Sequence, residues 1–159
     1  MEEFALERIR TLVVEDDPVQ SALLRGYIKT LPMMDHVGTA RSVNEAERML
    51  ESLPVDLLVL DIGLPQESGF RLLERTSKVP SVIVVTGDPH HALEVFEHGV
   101  VDLLVKPISK QRFLQAMQRV QMRSAARARA GPAHIKQPEQ PSVLLNSGRR
   151  TVSVPLNDI

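Results

Sequence analysis

Apolar runs without polar alternation recur at regular intervals: Leu12-Val13-Val14, Leu57 to Leu60, Val82 to Val85, and Leu103-Leu104-Val105. Runs of this length read as strands buried on both faces, the kind that parallel sheets contain. A more polar run, His36-Val37-Gly38-Thr39-Ala40, predicts a fifth strand that belongs at an edge. Between the runs the spacing changes to three and four. Leu23, Leu24, Tyr27, Ile28 and Leu31 form one stripe, Ala46, Met49 and Leu50 a second, and Phe70, Leu72 and Leu73 a third near 68–77. Phe113, Met117 and Val120 mark the last helix. Asp17-Pro18 and Asp88-Pro89 each read as a cap followed by proline in the first turn, Ser42 to Glu45 as a capping box, and Gly99 as a helix stop. Five strand–helix units follow one another, which predicts an α/β fold with a doubly wound five-stranded parallel sheet.

Charge divides the chain. Residues 1–122 carry 13 Lys/Arg and 18 Asp/Glu, a net −5, whereas residues 123–159 carry 6 and 2, a net +4. An acidic body with a basic tail predicts two modules with different partners. Residues 1–122 are expected to form the first domain. Residues 123–141, with three prolines and little periodicity, read as a linker whose first part extends the last helix. Residues 142–159 then read as a β-hairpin, Val143-Leu144-Leu145 and Val152-Ser153-Val154 around Asn146-Ser147-Gly148. Two strands cannot stand alone, so this hairpin is expected to begin a further domain. The chain has no cysteine, no apolar run of membrane-spanning length, and an acidic stretch at residues 2–7, all of which suit a cytoplasmic location.

The chemistry gathers at the strand ends. Glu15 and Asp16 follow the first strand, Asp61 ends the third, Thr86 and Gly87 follow the fourth, and Lys106 follows the fifth. In a parallel sheet all of these face one crevice, where open α/β folds place their ligands. Three carboxylates with no arginine among them repel, and a hard divalent cation, Mg2+ above all, relieves that repulsion. Lys106 adds a mobile positive charge and Thr86 a hydroxyl. Together they suit a phosphoryl group on Asp61, since carboxylates accept phosphoryl groups and the transfer needs mainly positioning and charge neutralisation.

These pieces resemble the receiver domain of two-component response regulators across residues 9–122, a flavodoxin/CheY-like (βα)5 fold. The matching segments are Leu12-Val13-Val14-Glu15-Asp16-Asp17-Pro18, Leu60-Asp61-Ile62-Gly63-Leu64-Pro65, Val85-Thr86-Gly87 and Lys106-Pro107. The resemblance implies Asp61 as phosphoacceptor, Mg2+ held by Glu15, Asp16, Asp61 and the backbone carbonyl of Gly63, Thr86 as switch hydroxyl, and Lys106 as phosphoryl contact. It also implies a cis bond into Pro107, a sensor histidine kinase as donor, and homodimerisation through the fourth helix, fifth strand and fifth helix. His91 to Phe96 followed by Gly99 to Ile108 is similar to receivers of the LytTR/AlgR group, which carry a β-rich DNA-binding domain. Val143 to Ile159 looks like the first strands of such a domain, so DNA is the implied second partner. Many receivers have an aromatic residue where this chain has Leu103.

Competing readings fail on particular residues. A haloacid-dehalogenase phosphatase or a Toprim nuclease wants Asp-x-Asp, and Asp61-Ile62-Gly63 has glycine in the second place. A flavin binder needs a phosphate-cradling loop where Glu15-Asp16-Asp17 would repel one. An alternative output is protein–protein interaction without DNA binding. His90, His91 and His98, near Glu94, read as a solvated helix face, and Asp17 as a cap and not a metal ligand. Arg123, Arg127 and Arg129 suit either DNA phosphates or a solvated helix end.

Overall fold

Both faces of the sheet are covered, and residue parity along each strand decides which helices a side chain meets. The computed structural model describes residues 8–75, 79–130, 142–147 and 150–155. Its strands are β1 (Ile9–Val14), β2 (Met34–Ala40), β3 (Leu57–Asp61), β4 (Ser81–Thr86) and β5 (Asp102–Val105). The helices are α1 (Pro18–Lys29), α2 (Val43–Ser52), α3 (Gly69–Arg75), α4 (Ala92–Glu97) and α5 (Lys110–Ala130). All sheet pairings are parallel, in the order β2-β1-β3-β4-β5. The polar strand β2 is an edge, as its sequence predicts. Val13, Val59, Ile83 and Val85 pack with Leu24 and Ile28 of α1 and with Phe113, Met117 and Val120 of α5. Leu12, Val14, Leu58 and Leu60 pack on the other face with Val43 and Ala46 of α2 and Leu72 of α3. Ile62 and Val84 meet Val95 of α4. Each fully buried aliphatic or aromatic side chain contributes about 1.5–3 kcal/mol.

The helix ends follow the local chemistry of their sequences. Asp17 accepts from the amides of Val19 at 2.8 Å and Gln20 at 3.4 Å, which confirms it as the α1 cap. Ser42 accepts from the Glu45 amide at 3.1 Å, but the returning Glu45 carboxylate takes the amide of Arg41 instead of Ser42. Asp88 caps a 3-10 turn over Pro89–His91, and α4 starts only after it. The fourth helix is therefore shorter than the stretch from Pro89 to His98. Gly99, at φ +72°, ends it as expected.

Helix α5 runs on to Ala130, well into the basic segment. Arg123 is half-buried there and donates to the carbonyl of Gly99 at 3.1 Å, just past the end of α4. This arginine is thus tied to its own domain, and burial, with Arg127 nearby, pulls its pKa down. Strands β6 (Ser142–Ser147) and β7 (Arg150–Pro155) pair antiparallel. Asn146 and Ser147, which the sequence placed in the turn, lie within β6 opposite Thr151 and Arg150. Residues 131–141, 148–149 and 156–159 of the expected linker and hairpin lie outside the described residues.

Candidate functional site

The order β2-β1-β3 places the ends of β1 and β3 side by side at the point where the winding reverses, the usual ligand crevice of such sheets. Glu15 and Asp16 leave β1 there and Asp61 ends β3. Glu15 is 1% exposed and Asp61 4%, while Asp16 is open to solvent. One carboxylate oxygen from each of the three lies within 4.8 Å of the others.

Lys106 reaches across this group from the end of β5. Its ammonium stands 3.0 Å from Asp61 Oδ2 and 3.2 Å from Glu15 Oε2. Partial burial pulls the ammonium toward neutrality, but the hydrogen bond and charge of Asp61, with those of Glu15, outweigh it and raise its pKa. The other Asp61 oxygen, Oδ1, accepts from the Gly63 amide at 2.8 Å. Glu15 Oε1 accepts from the Asp17 amide at 3.2 Å. Glu15 Oε2 is buried with no aligned hydrogen-bond donor, since its approach to Lys106 is an ion pair alone. Burial, then the hydrogen bond and the charge of Asp61, push the Glu15 carboxyl up to about 7, against weaker downward pulls from Lys106 and the Asp17 amide.

Thr86 is 3% exposed, and its hydroxyl is occupied within its own loop. It accepts from the Asp88 amide at 3.0 Å and donates to the Asp88 carbonyl at 3.2 Å. The Thr86 carbonyl accepts from the Lys106 amide at 2.8 Å, which fastens the β4 and β5 ends together. The Lys106–Pro107 bond is cis. Leu103 is half-buried against Val95, Phe96 and Val100, a packing position beneath α4.

Three carboxylates face one lysine, one buried carboxylate oxygen lacks a donor, and all available ligands are hard oxygens. The residues fit a Mg2+-type ion.

Two features escaped sequence reasoning. A Cβ on Gly69 would stand 2.7 Å from both the Asp61 carbonyl oxygen and Ile62 Cα, so only glycine lets α3 begin this close to the strand end. Gln66 holds φ +71° in the β3–α3 loop without being glycine. The glycine following Glu67-Ser68 was a visible signal for the first; nothing in the sequence marks the second. The histidine face is largely exposed, as expected, with one contact across to α3. His90 is exposed with Nδ1 2.7 Å from Asp88, but His91 packs edge-on against Phe70 at 5.8 Å and has its own Nδ1 buried without a partner. His98 lies 5.8 Å from the same ring. A phenylalanine from α3 thus draws part of that face inward. No histidine joins a potential metal-binding group among the described residues.

Residues 11–118 match the response regulator receiver domain family. The transcriptional regulatory protein CitB of Klebsiella pneumoniae is 31% identical over 138 residues, covering 82% of this chain and 59% of that protein. The sensory transduction protein LytT of Enterococcus faecalis is 33% identical over 115 residues, covering 70% of this chain and 47% of that protein. The response regulatory domain of mrkE from Klebsiella pneumoniae superposes with a TM-score of 0.68 at 25% identity, covering 74% of this chain and 99% of that domain. The fold, the crevice and these relatives agree: the chain belongs to the response regulator receiver domain family. It spans roughly half to three-fifths of the length of the curated relatives. No helix among the described residues is long and apolar enough to cross a membrane.

Proposed function

We propose that the protein is a phosphorylation-activated response regulator that accepts a phosphoryl group on Asp61 from a sensor histidine kinase in the cytoplasm. The observation that carries this reading is the under-neutralised crevice: Glu15, Asp16 and Asp61 converge around one lysine, with a buried carboxylate oxygen left over. In the transfer, an Asp61 carboxylate oxygen forms a bond to phosphorus as the bond from phosphorus to the donor nitrogen breaks, leaving an acyl phosphate and an imidazole that is neutral once the ring has taken one proton from solvent. Glu15, Asp16, Asp61 and the Gly63 carbonyl would hold a Mg2+ ion, which would supply charge neutralisation for the phosphoryl oxygens. Lys106 gives up its contact with Asp61 Oδ2 and pairs with a phosphoryl oxygen. Thr86 exchanges its bond to the Asp88 carbonyl for one to the phosphoryl group, drawing the β4–α4 loop toward Asp61.

The output reading is dimerisation through α4, β5 and α5, where Leu93 is 73% exposed and Val105 41%. Dimerisation would bring two copies of the basic segment together and strengthen DNA binding through effective concentration. The antiparallel β6–β7 pair supports a β-rich output domain of LytTR type after the receiver, and the name of CitB as a transcriptional regulatory protein supports a transcriptional output.

Intact-mass spectrometry after treatment with acetyl phosphate and Mg2+ tests the chemistry. One phosphoryl group should be gained by the native protein and none by Asp61→Ala. Analytical ultracentrifugation tests the output: Thr86→Ala should keep phosphorylation and lose the shift toward dimer. Equal labelling of Asp61→Ala would refute the assignment.

A further inference from the structure

A lysine ammonium is a compact charge on a flexible four-carbon stem, so its aim depends on what holds its backbone. Lys106 follows β5, a strand of 4 residues at the sheet edge that pairs only with β4. A short edge strand with a single ladder is a weak anchor. Two groups of contacts from outside the sheet reinforce it.

At the start of the strand, Arg112 of α5 donates to both oxygens of Asp102, at 2.8 and 2.7 Å. The same guanidinium reaches the Leu103 carbonyl at 3.1 Å, and Asp102 Oδ1 takes the Leu103 amide at 2.8 Å. Both backbone groups of Leu103 are therefore satisfied by this pair. Beyond Lys106, the Tyr27 hydroxyl of α1 donates to the Ile108 carbonyl at 2.9 Å. The Tyr27 ring is itself seated against the fully buried Phe113, with centroids 5.6 Å apart. The segment from Asp102 to Ile108 is pinned at both ends, and Lys106 lies between the pins.

We infer that Tyr27 and the Arg112–Asp102 pair are positioning residues for Lys106, aiming its ammonium at Asp61 through contacts made outside the crevice. The inference rests on the reading of Asp61 as phosphoacceptor for its importance, but its geometry can be tested without phosphorylation. A misplacement of about 1 Å in a reacting group can cost on the order of a hundredfold in rate, so a device that fixes one lysine has consequences.

Tyr27→Phe keeps the ring and removes only the hydroxyl. Arg112→Lys keeps the charge and removes the two-pronged fork. Acylation by an N-hydroxysuccinimide ester, read by peptide mass spectrometry, reports the freedom of each lysine in one molecule. Each variant should raise labelling of Lys106 about three- to tenfold, the scale of one lost hydrogen bond, with Lys29 and Lys110 unchanged. Phosphorylation by acetyl phosphate at saturating Mg2+ should slow in both variants. In a Lys106→Ala background, Tyr27→Phe should cause no further slowing, because its effect passes through that side chain. Unchanged Lys106 labelling in both variants, or equal slowing by Tyr27→Phe with and without Lys106, would overturn the inference. If the native protein takes no phosphoryl group while Lys106 labelling still responds, the phosphoacceptor reading falls and the positioning role stands.

Discussion

Two buried acidic centres lie on the same sheet and are neutralised in opposite ways. Asp102 is 1% exposed and faces two guanidiniums, Arg112 at 2.7 Å and Arg119 at 2.9 Å, with the Leu103 amide as a further donor. Glu15 and Asp61 are about as buried, stand with Asp16, and share a single ammonium. The first centre carries more positive than negative charge and is saturated with donors. The second carries a surplus of negative charge and retains an unsatisfied oxygen. Burial of an acid does not by itself separate structural from functional roles, whereas the balance of its partners does.

The sharpest way to break this comparison is to add Mg2+. A ligand at a hundred times its dissociation constant stabilises a folded protein by about 2.7 kcal/mol. Native protein and Asp102→Ala should both gain thermal stability with Mg2+, and Glu15→Ala/Asp16→Ala should not. A Mg2+ response that survives the double substitution would place the ion elsewhere. Next in size, Asp102→Ala should cost about 1–3 kcal/mol in urea unfolding, less than a fully buried pair because both arginines keep contact with water. It should remain competent for phosphorylation at reduced rate. Asp61→Ala removes charge from a repulsive cluster and should cost far less stability, or none.

The pH dependence sharpens the contrast. Glu15 has its pKa raised from 4.5 to about 7 in the folded protein. An acid raised in this way binds its proton more tightly when folded, so its stabilisation is complete below 4.5 and disappears as pH climbs toward 7. With a chelator present, native protein should lose thermal stability between pH 5 and pH 8, and Glu15→Gln should lose less. Parallel curves for the two would contradict the assignment of that proton to Glu15. Mg2+ binding, which expels the proton, should accordingly be tighter at pH 8 than at pH 6.

Smaller effects belong to the rim. A Cβ at Gly87 meets nothing within 4 Å, and at Gly63 only Asp61 Oδ1 at 3.4 Å. A phosphoryl group on Asp61 would then be unshielded, and its acyl phosphate is expected to be short-lived. Gly87→Val should slow both donor entry and hydrolysis without unfolding the protein; unchanged rates would remove this steric account. Leu103→Met should be nearly silent, retaining phosphorylation and the dimer shift, because Leu103 packs under α4 beside Val95. Loss of the shift in that variant would make Leu103 itself the moving part.

Much of this arrangement was legible from the chain. Buried strands announce themselves through runs such as Leu57 to Leu60, and their ends name the crevice residues without reference to the helices between. Proline after aspartate marked both the α1 cap and the Asp88 turn. What remained hidden depends on contacts distant in sequence. Nothing near Asp102 reveals that Arg112 and Arg119 converge on it, and nothing near Tyr27 reveals the Ile108 carbonyl 81 residues away. The edge contact of His91 with Phe70 was hidden because Phe70 comes from another helix. Orientation of the Thr86 hydroxyl toward Asp88, and the Glu15 oxygen left without a hydrogen-bond donor, are facts of three-dimensional placement alone.

The under-neutralised centre, and not the saturated one, is expected to take the phosphoryl group. Borohydride reduction tests this most directly, since it converts an aspartyl phosphate to homoserine and leaves free carboxylates untouched. After treatment with acetyl phosphate and Mg2+, peptide mass spectrometry should find homoserine at position 61 and aspartate at 16, 56 and 102. Homoserine at position 102, or at none of these positions in a protein that gained phosphoryl mass, would contradict the account.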